Sequence, residues 1–333
     1  MPDLTVVIPT RDRRSILGQT LGRLEEQAGD ASFDVKVVDD GSTDGSPEAV
    51  RRCAGSGRLD IELIEQPGRG PAAARNRGVA ATRAPVCLFL NDDTPPRAGL
   101  VGRHAAFHAR RPEPEAALLG AIALPADPPP TPFMRWLHDA HFDYAGIEDH
   151  ERAGGGRFFT ANVSVKTELV NRVDGFDERM GAAAYEDIEF GLRLEAAGMR
   201  LAYDPEAVVE HFHPEDLESA IERLRRAGRW LAPLVERHPD WPVPRRPGAR
   251  HRIKAAALTG LAASGARSTA LRREIWRFLC HEASREGYWS AVEDRPPGTG
   301  LRIGRRLARL AIRDDDARLP AVHPNSMPRD RVQ

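Results

Sequence analysis

The feature that most constrains this chain is a rhythm in its first 125 residues. Short β-branched runs alternate with helical segments, and several of the runs end in proline or carboxylates. "LTVVIP" (4–9) stops at a proline, "FDVKVVDDGS" runs into Asp39 and Asp40, "DIELIE" alternates, and "PVCLFL" runs into Asn91, Asp92 and Asp93. Between them, "RRSILGQTLGRLEEQ" sets Ile16, Leu17, Thr20, Leu21 and Leu24 on one stripe. Ser46 and Pro47 open a second helix, and "GPAAARNRGVAATR" reads as a third. Strands alternating with helices predict an α/β fold, a doubly wound and mainly parallel sheet whose ligand crevice lies beyond the carboxyl ends of the strands. Paired carboxylates at a dry strand end cost free energy unless a cation, a partner or water offsets them. A solvated turn is the bland alternative, since Asn, Asp and Pro are turn residues.

The rhythm changes twice. From Asp127 to Gly156 the text is Pro- and Gly-rich and predicts a mobile irregular loop. Order resumes with "RFFTANVSVK", the helix "TELVNRV", the amphipathic helix "YEDIEFGLRLEAAG", and "RLAYDPEAVVEHFHPED", read as two short strands around a proline turn. After about 215 only helical patterns remain, over 216–236, 250–263, 268–287 and 301–313, followed by a tail expected to be loose. Two domains are therefore expected, 1–215 and a basic helical region, 216–333. The first holds 24 Lys+Arg against 35 Asp+Glu, the second 24 against 14, so the whole-chain charge of −1 hides a front at −11 and a back at +10.

Hydrophobic residues at 41% and charged residues at 29% fit an ordinary globular chain with no run long enough to span a membrane. Three widely spaced cysteines argue against a disulfide framework or a zinc knuckle and, with no leader-like start, suggest a cytoplasmic setting. There is no P-loop, no dinucleotide fingerprint and no nucleophile elbow. What remains is a set of polar clusters at strand ends and helix starts. Asp39 and Asp40 suit a base N–H or ribose hydroxyls, and "NDDT" offers hard oxygen ligands for Mg²⁺ or Mn²⁺. Glu186 and Asp187 begin a helix, where acidic residues also serve as plain caps, and His211 and His213 share one side of a strand.

In series, "VVIPTRDR", "VVDDGSTDGS", "GPAAARNRGVAAT", "LFLNDDTPP", "FFTANVSVK", "GFDERMGAAAYEDIEFGLRLEAAG" and "VVEHFHP" resemble the family 2 inverting glycosyltransferases of the GT-A fold, over roughly residues 3 to 215. The resemblance implies transfer of a sugar from a nucleotide-diphosphate donor, UDP being the commonest carrier, to a hydroxyl-bearing acceptor, whether glycan, lipid-linked or small molecule. It implies that Pro9, Thr10 and Arg11 line base and ribose, and that Asp40, with Asp39 beside it, contacts the base. Arg75 is expected to reach the nucleotide. Asp93 is expected to bind the metal, with Asp92 as a ribose contact or support. Asn91 stands in the motif's first position, where many members carry Asp, and would be the weaker metal ligand. Asp187 is the expected general base with Glu186 as fallback, and His211 or His213 a further metal or diphosphate ligand. The loop 127–156, with Trp136, is expected to close over the site. Two other readings stay open: a degenerate fold serving as a binding module, and a sugar nucleotidyltransferase, although "IPTRDRR" lacks the glycines the latter needs. The basic helices could meet an anionic membrane or form a homodimer, while nucleic acid is not expected.

Overall fold

A computed structural model describes residues 1–27, 29, 31–180, 184–211, 213–265, 268–294 and 303–311. Seven strands form one sheet in the order β3-β2-β1-β4-β6-β5-β7. They are β1 (Leu4–Thr10), β2 (Phe33–Asp39), β3 (Ile61–Glu65), β4 (Val86–Leu90), β5 (Ala116–Ala123), β6 (Asn162–Lys166) and β7 (Arg200–Glu210). The helices of this layer are α1 (Arg14–Glu25), α2 (Ser46–Gly55), α3 (Pro71–Ala80), α4 (Leu100–Arg110), α6 (Thr167–Arg172) and α7 (Glu186–Ala196). Strands β1 to β4 run parallel, and β6 alone is antiparallel to its neighbours β4 and β5. The expected doubly wound sheet is present. β1, β2 and β4 are almost wholly buried, which is why their sequences read as continuous apolar runs.

Close helix–sheet packing explains one glycine. A Cβ on Gly78 of α3 would lie 2.5 Å from Val7 Cγ1 and 3.3 Å from Val38 Cγ2, so a side chain there would push α3 off β1 and β2.

The chain divides into two units, the first from Met1–Pro125 and Phe142–His213, the second from Ala126–His141 and Pro214 onward. The irregular mobile loop expected over 127–156 is corrected here. Residues Pro132–Phe142 form helix α5, and Phe133 is buried beside Trp136 in the core of the second unit. Their rings lie 5.4 Å and 5.8 Å from that of Trp276. Trp136 is a core aromatic rather than the tip of a lid. Gly155, at the far end of the stretch, approaches the backbone of Gly191 on α7 so closely that neither position admits a Cβ without displacement. The second unit also contains α8 (Leu217–Arg237), α9 (Ala249–Ala263), α10 (Thr269–Val292) and α11 (Ile303–Ala311). In this unit Leu231, Leu234, Trp276, Phe278 and Leu279 are buried, whereas Leu261 is exposed. The described residues end at 311, so the tail expected to be loose after 301–313 lies outside them.

β7 is one strand, not two. Its proline turn is absorbed as an irregularity: Gly120 pairs with Asp204 and the next residue, Ala121, with Val208. Asn162 holds this bulge by donating from Nδ2 to Ala121 O at 2.9 Å and to Ala207 O at 2.8 Å. A Cβ on Gly120 would collide with both the Asn162 amide and Ala207 O. With both amide protons spent, Asn162 Oδ1 must accept, so His104 Nε2 donates to it at 3.1 Å. His104 Nδ1 then accepts from Ser164 Oγ at 2.7 Å, and Ser164 Oγ accepts from His108 Nε2 at 2.8 Å. Burial holds both imidazoles neutral, lowering His104 to about 4 and His108 to about 3.

Both folded values lie below the unfolded value near 6.5, so the unfolded chain takes up protons first as pH falls. Stability is therefore expected to decline below about pH 6.5 and to go on declining towards pH 4. Each histidine contributes about 2 kcal/mol of loss by pH 5. Denaturant melts of the wild type and His108→Gln between pH 7.5 and 5 check this; the variant should lose less on acidification.

Candidate active site

The polar clusters meet beyond the carboxyl ends of β1, β2 and β4, where parallel topology places loops rather than core. Two loops there are stitched together. Asp12, at φ 52, accepts from Thr43 N at 2.7 Å, its own N–H donates to Ser42 Oγ at 2.9 Å, and Arg14 N donates to Asp44 Oδ2 at 2.8 Å. Asp39 Oδ2 accepts from Gly41 N and Ser42 N, while Asp39 Oδ1 is buried with no partner among the described residues. Asp40 is already engaged: Oδ1 accepts from Gln66 Nε2 and Arg69 N, both at 2.7 Å, and Oδ2 from Gly70 N at 2.9 Å. Arg11 is exposed, with NH1 3.8 Å from Asp40 Oδ2, and Pro9 pairs with Val38 in the sheet. Of the two carboxylates, Asp39 thus keeps the oxygen in need of a donor, and Asp40 braces the entry to α3.

The turn after β4 is fixed by its own residues. Thr94 Oγ1 donates to Asn91 O at 2.9 Å, Thr20 Oγ1 of α1 donates to Asp92 O at 2.7 Å, and Thr10 Oγ1 donates to Asp92 Oδ2 at 2.8 Å. The adjacent carboxyls titrate far apart. Burial and the neighbouring Asp93 charge push Asp92 up to about 6. Burial also acts to raise Asp93, but His211, Arg13 and His213 outweigh it and hold that carboxyl at about 2. Asp93 Oδ2 is the point of convergence: Arg13 NH1 lies 2.5 Å away, His211 Nε2 3.7 Å and His213 Nδ1 3.8 Å.

β7 delivers the histidines. Its end is held beside the turn by Glu210 N donating to Pro95 O and Arg97 N to Val208 O, both at 2.9 Å. His211 N donates to Ala123 O at 2.8 Å, and the two imidazoles stack 5.5 Å apart at 10°. Asp93, His211 and His213 each bring one donor atom within 4.8 Å of the others'. A carboxylate oxygen and two imidazole nitrogens form a set that fits a first-row divalent cation.

Arg75 and Asn91 behave otherwise than expected. Arg75 is buried, donating from NH1 to Glu186 Oε1 at 2.9 Å and from NH2 to Asn91 Oδ1 at 3.1 Å, with its guanidinium 5.6 Å over the Phe176 ring. Its hydrogen bonds tie the β4 turn to the start of α7. Asn91 therefore turns its amide oxygen to Arg75, while Asp93 and the two histidines make the cluster. Glu186 is spent on the same ion pair, which leaves Asp187, partly exposed at the first turn of α7, as the freer carboxylate. Burial and the adjacent Glu186 charge raise its pKa, with Arg75 partly opposing.

Two residues in these motifs acquire roles from the fold alone. Asn76 grips the backbone of Phe176, accepting from its N–H at 2.7 Å and donating to its carbonyl at 2.9 Å, and so couples "ARNRG" to "GFDE". Arg13 reaches Asp93 from the start of α1. Their sequence signals were only their places inside the quoted motifs, since side-chain direction is not written in spacing. A cavity of about 640 Å³ includes none of Asp93, His211 and His213 in its lining. It is lined by α1 and the 95–98 segment, and its charges pair off as Arg23–Glu26, Arg58–Glu25 and Arg97–Glu210.

A family model described as "Glycosyl transferase family 2" matches residues 5–119, and one described as "Glycosyl transferase family group 2" matches 87–278. A pre-mycofactocin glycosyltransferase of Mycobacterium tuberculosis is 33% identical over 252 residues, 73% of this chain and 49% of that protein. A validoxylamine A glucosyltransferase of Streptomyces hygroscopicus is 30% identical over 269 residues, 72% of this chain and 58% of that protein. The chain thus spans about half the length of these curated relatives. Among solved structures, a mannosyltransferase from Pyrobaculum calidifontis, in complex with GDP-Man and Mn²⁺, superposes with a TM-score of 0.59 at 20% identity, covering 89% of this chain and 88% of that one. Residues 1–349 of Staphylococcus aureus TarS superpose with a TM-score of 0.52 at 17% identity, over 88% of this chain and 92% of that fragment.

Removing the guanidinium would leave Glu186 buried and unpaired. Arg75→Ala is expected to cost about 3 kcal/mol or more, read as a lowered denaturation midpoint at unchanged slope.

Proposed function

The chain belongs to the family 2 glycosyltransferases, and we propose that it moves a sugar from a nucleotide-diphosphate donor to an acceptor hydroxyl by one displacement, inverting the anomeric carbon. The observation that carries this reading is the meeting of Asp93, His211 and His213 at the strand ends that also present Asp39 and Asp40.

In this reading Pro9, Thr10 and Arg11 line the nucleoside, Asp39 Oδ1 supplies the acceptor that its buried state leaves open, and Asp40 keeps the adjoining loop in place. Asp93, His211 and His213 would hold a divalent cation, and two imidazoles beside one carboxylate suit Mn²⁺ better than Mg²⁺. Bound there, it would neutralise charge developing on the departing diphosphate. Asp92 supports the turn through Thr10, and Asn91 orients Arg75 rather than serving as a ligand. Asp187 takes the acceptor's hydroxyl proton as the new C–O bond forms and the bond to the diphosphate oxygen breaks. Glu186 serves by pairing with Arg75, which fixes the first turn of α7 from which Asp187 projects. The solved neighbours include one with GDP-Man and one with UDP-GlcNAc, so both carriers belong in a first donor panel, with UDP-sugars leading.

Calorimetry with UDP and GDP, with and without Mn²⁺, tests the reading: binding strengthened by Mn²⁺ is expected, and binding of neither nucleotide would sink it. Asp187→Asn should bind nucleotide normally while turnover drops about 10²- to 10⁴-fold. A base must be ionised to act, so activity should fall on the acid side of Asp187's raised pKa. Glu186→Gln removes the neighbouring negative charge and should move that limb to lower pH by about one unit, seen in the pH profile of kcat/KM.

A further inference from the structure

We infer that Arg13 is a charge placeholder at the cation site, one that leaves Asp93 for the donor's diphosphate when the cation arrives. The inference rests on the metal reading above.

Its basis is one atom. Arg13 NH1 donates to Asp93 Oδ2 at 2.5 Å and lies 4.0 Å from Asp92 Oδ1, while His211 Nε2 and His213 Nδ1 face the same Asp93 oxygen at 3.7 Å and 3.8 Å. A dication taken up by these three donors would sit within about 2.0–2.2 Å of its ligand oxygen. A guanidinium in hydrogen-bond contact with that oxygen would then face a double positive charge at contact range, and one of the two must go.

Arg13 cannot retreat by moving its backbone far. The residues on either side are pinned, Asp12 by Ser42 and Thr43 and Arg14 by Asp44. What can move is the side chain, which is about two-fifths exposed at the mouth of the crevice. Once displaced, the guanidinium needs a new anion within reach. In the proposed reaction that anion would be the donor's diphosphate, a group a guanidinium recognises well. Two consequences follow. Without nucleotide the cation competes with Arg13 and binds weakly. With nucleotide the displaced charge is matched, so cation and donor bind with positive coupling, which keeps a loaded cation from idling in an empty site.

The test is a Mn²⁺ titration followed by electron paramagnetic resonance, corrected for Mn²⁺ held by nucleotide in buffer. It uses the full chain as wild type, Arg13→Gln, Arg13→Lys and His211→Ala, each with no nucleotide, UDP or GDP. Without nucleotide, Arg13→Gln should bind Mn²⁺ about tenfold tighter than wild type, while Arg13→Lys, which keeps the charge, should stay near wild type. Nucleotide should tighten Mn²⁺ binding to wild type about tenfold more than to Arg13→Gln. Equal nucleotide-free affinities in wild type and Arg13→Gln, with His211→Ala weakened, would overturn the role of Arg13 and leave the metal reading standing. Absence of Mn²⁺ binding in all proteins under all conditions would remove the metal reading and this inference with it. Arg13→Met repeats the comparison with another uncharged long side chain, so a single misfolded variant does not decide the result.

Discussion

The architecture of the site hangs on one buried cation. Arg75 sits in the middle of α3, closed off from water, and its guanidinium is shared between the turn after β4 and the first turn of α7. A charge so buried is tolerable only if it is compensated. Here a carboxylate and an amide oxygen each accept from the guanidinium and an aromatic face lies beneath it, while Nε is left without a partner among the described residues. Each partner lies on a different element, so satisfying one guanidinium fixes where three elements sit. Asn76, the next residue, extends the clamp by holding the backbone of Phe176. The motif "ARN" is thus structural glue between the turn after β4, the backbone at Phe176 and the helix that presents Asp187.

Around that frame the carboxylates are differentiated by surroundings rather than by type. Asp92 and Asp93 are neighbours, yet burial raises the one while a guanidinium and two imidazoles hold the other low. Glu186 and Asp187 are likewise neighbours; one is locked in an ion pair and the other is left partly exposed with a raised pKa. Asp39 and Asp40 divide in the same way, between an unpartnered oxygen and a fully engaged brace. In all three acidic pairs, adjacent carboxylates meet different partners because successive side chains in a buried crevice face different elements.

Much of the first unit was legible in the sequence because buried parallel strands and their helices carry strong periodic signals. β1 to β4, α1 and α3 lie within three residues of the runs that announce them, and α2 starts at the Ser46 and Pro47 that open it. Less legible was whatever depended on distant contacts. "RLAYDPEAVVE" looks like two strands because Pro205 breaks its pattern, yet pairing with β5 carries the strand through a bulge held by Asn162. The stretch after Asp127 looks irregular because of its prolines, yet Phe133 and Trp136 have a core to enter in the second unit.

By itself the sequence determined the alternating α/β sheet, the polar clusters at its strand ends, and the residue types gathered there. These follow from local periodicity and from the chemistry of each side chain, which are written in the chain order. Only the tertiary structure decided which of those residues touch. It turned Asn91 and Glu186 to Arg75, brought His211 and His213 across from β7 to Asp93, and set Arg13 against the same oxygen. The reason is physical: partners 16 to 120 positions apart are chosen by burial and charge compensation in the folded crevice, and no local pattern encodes which atom a side chain will face.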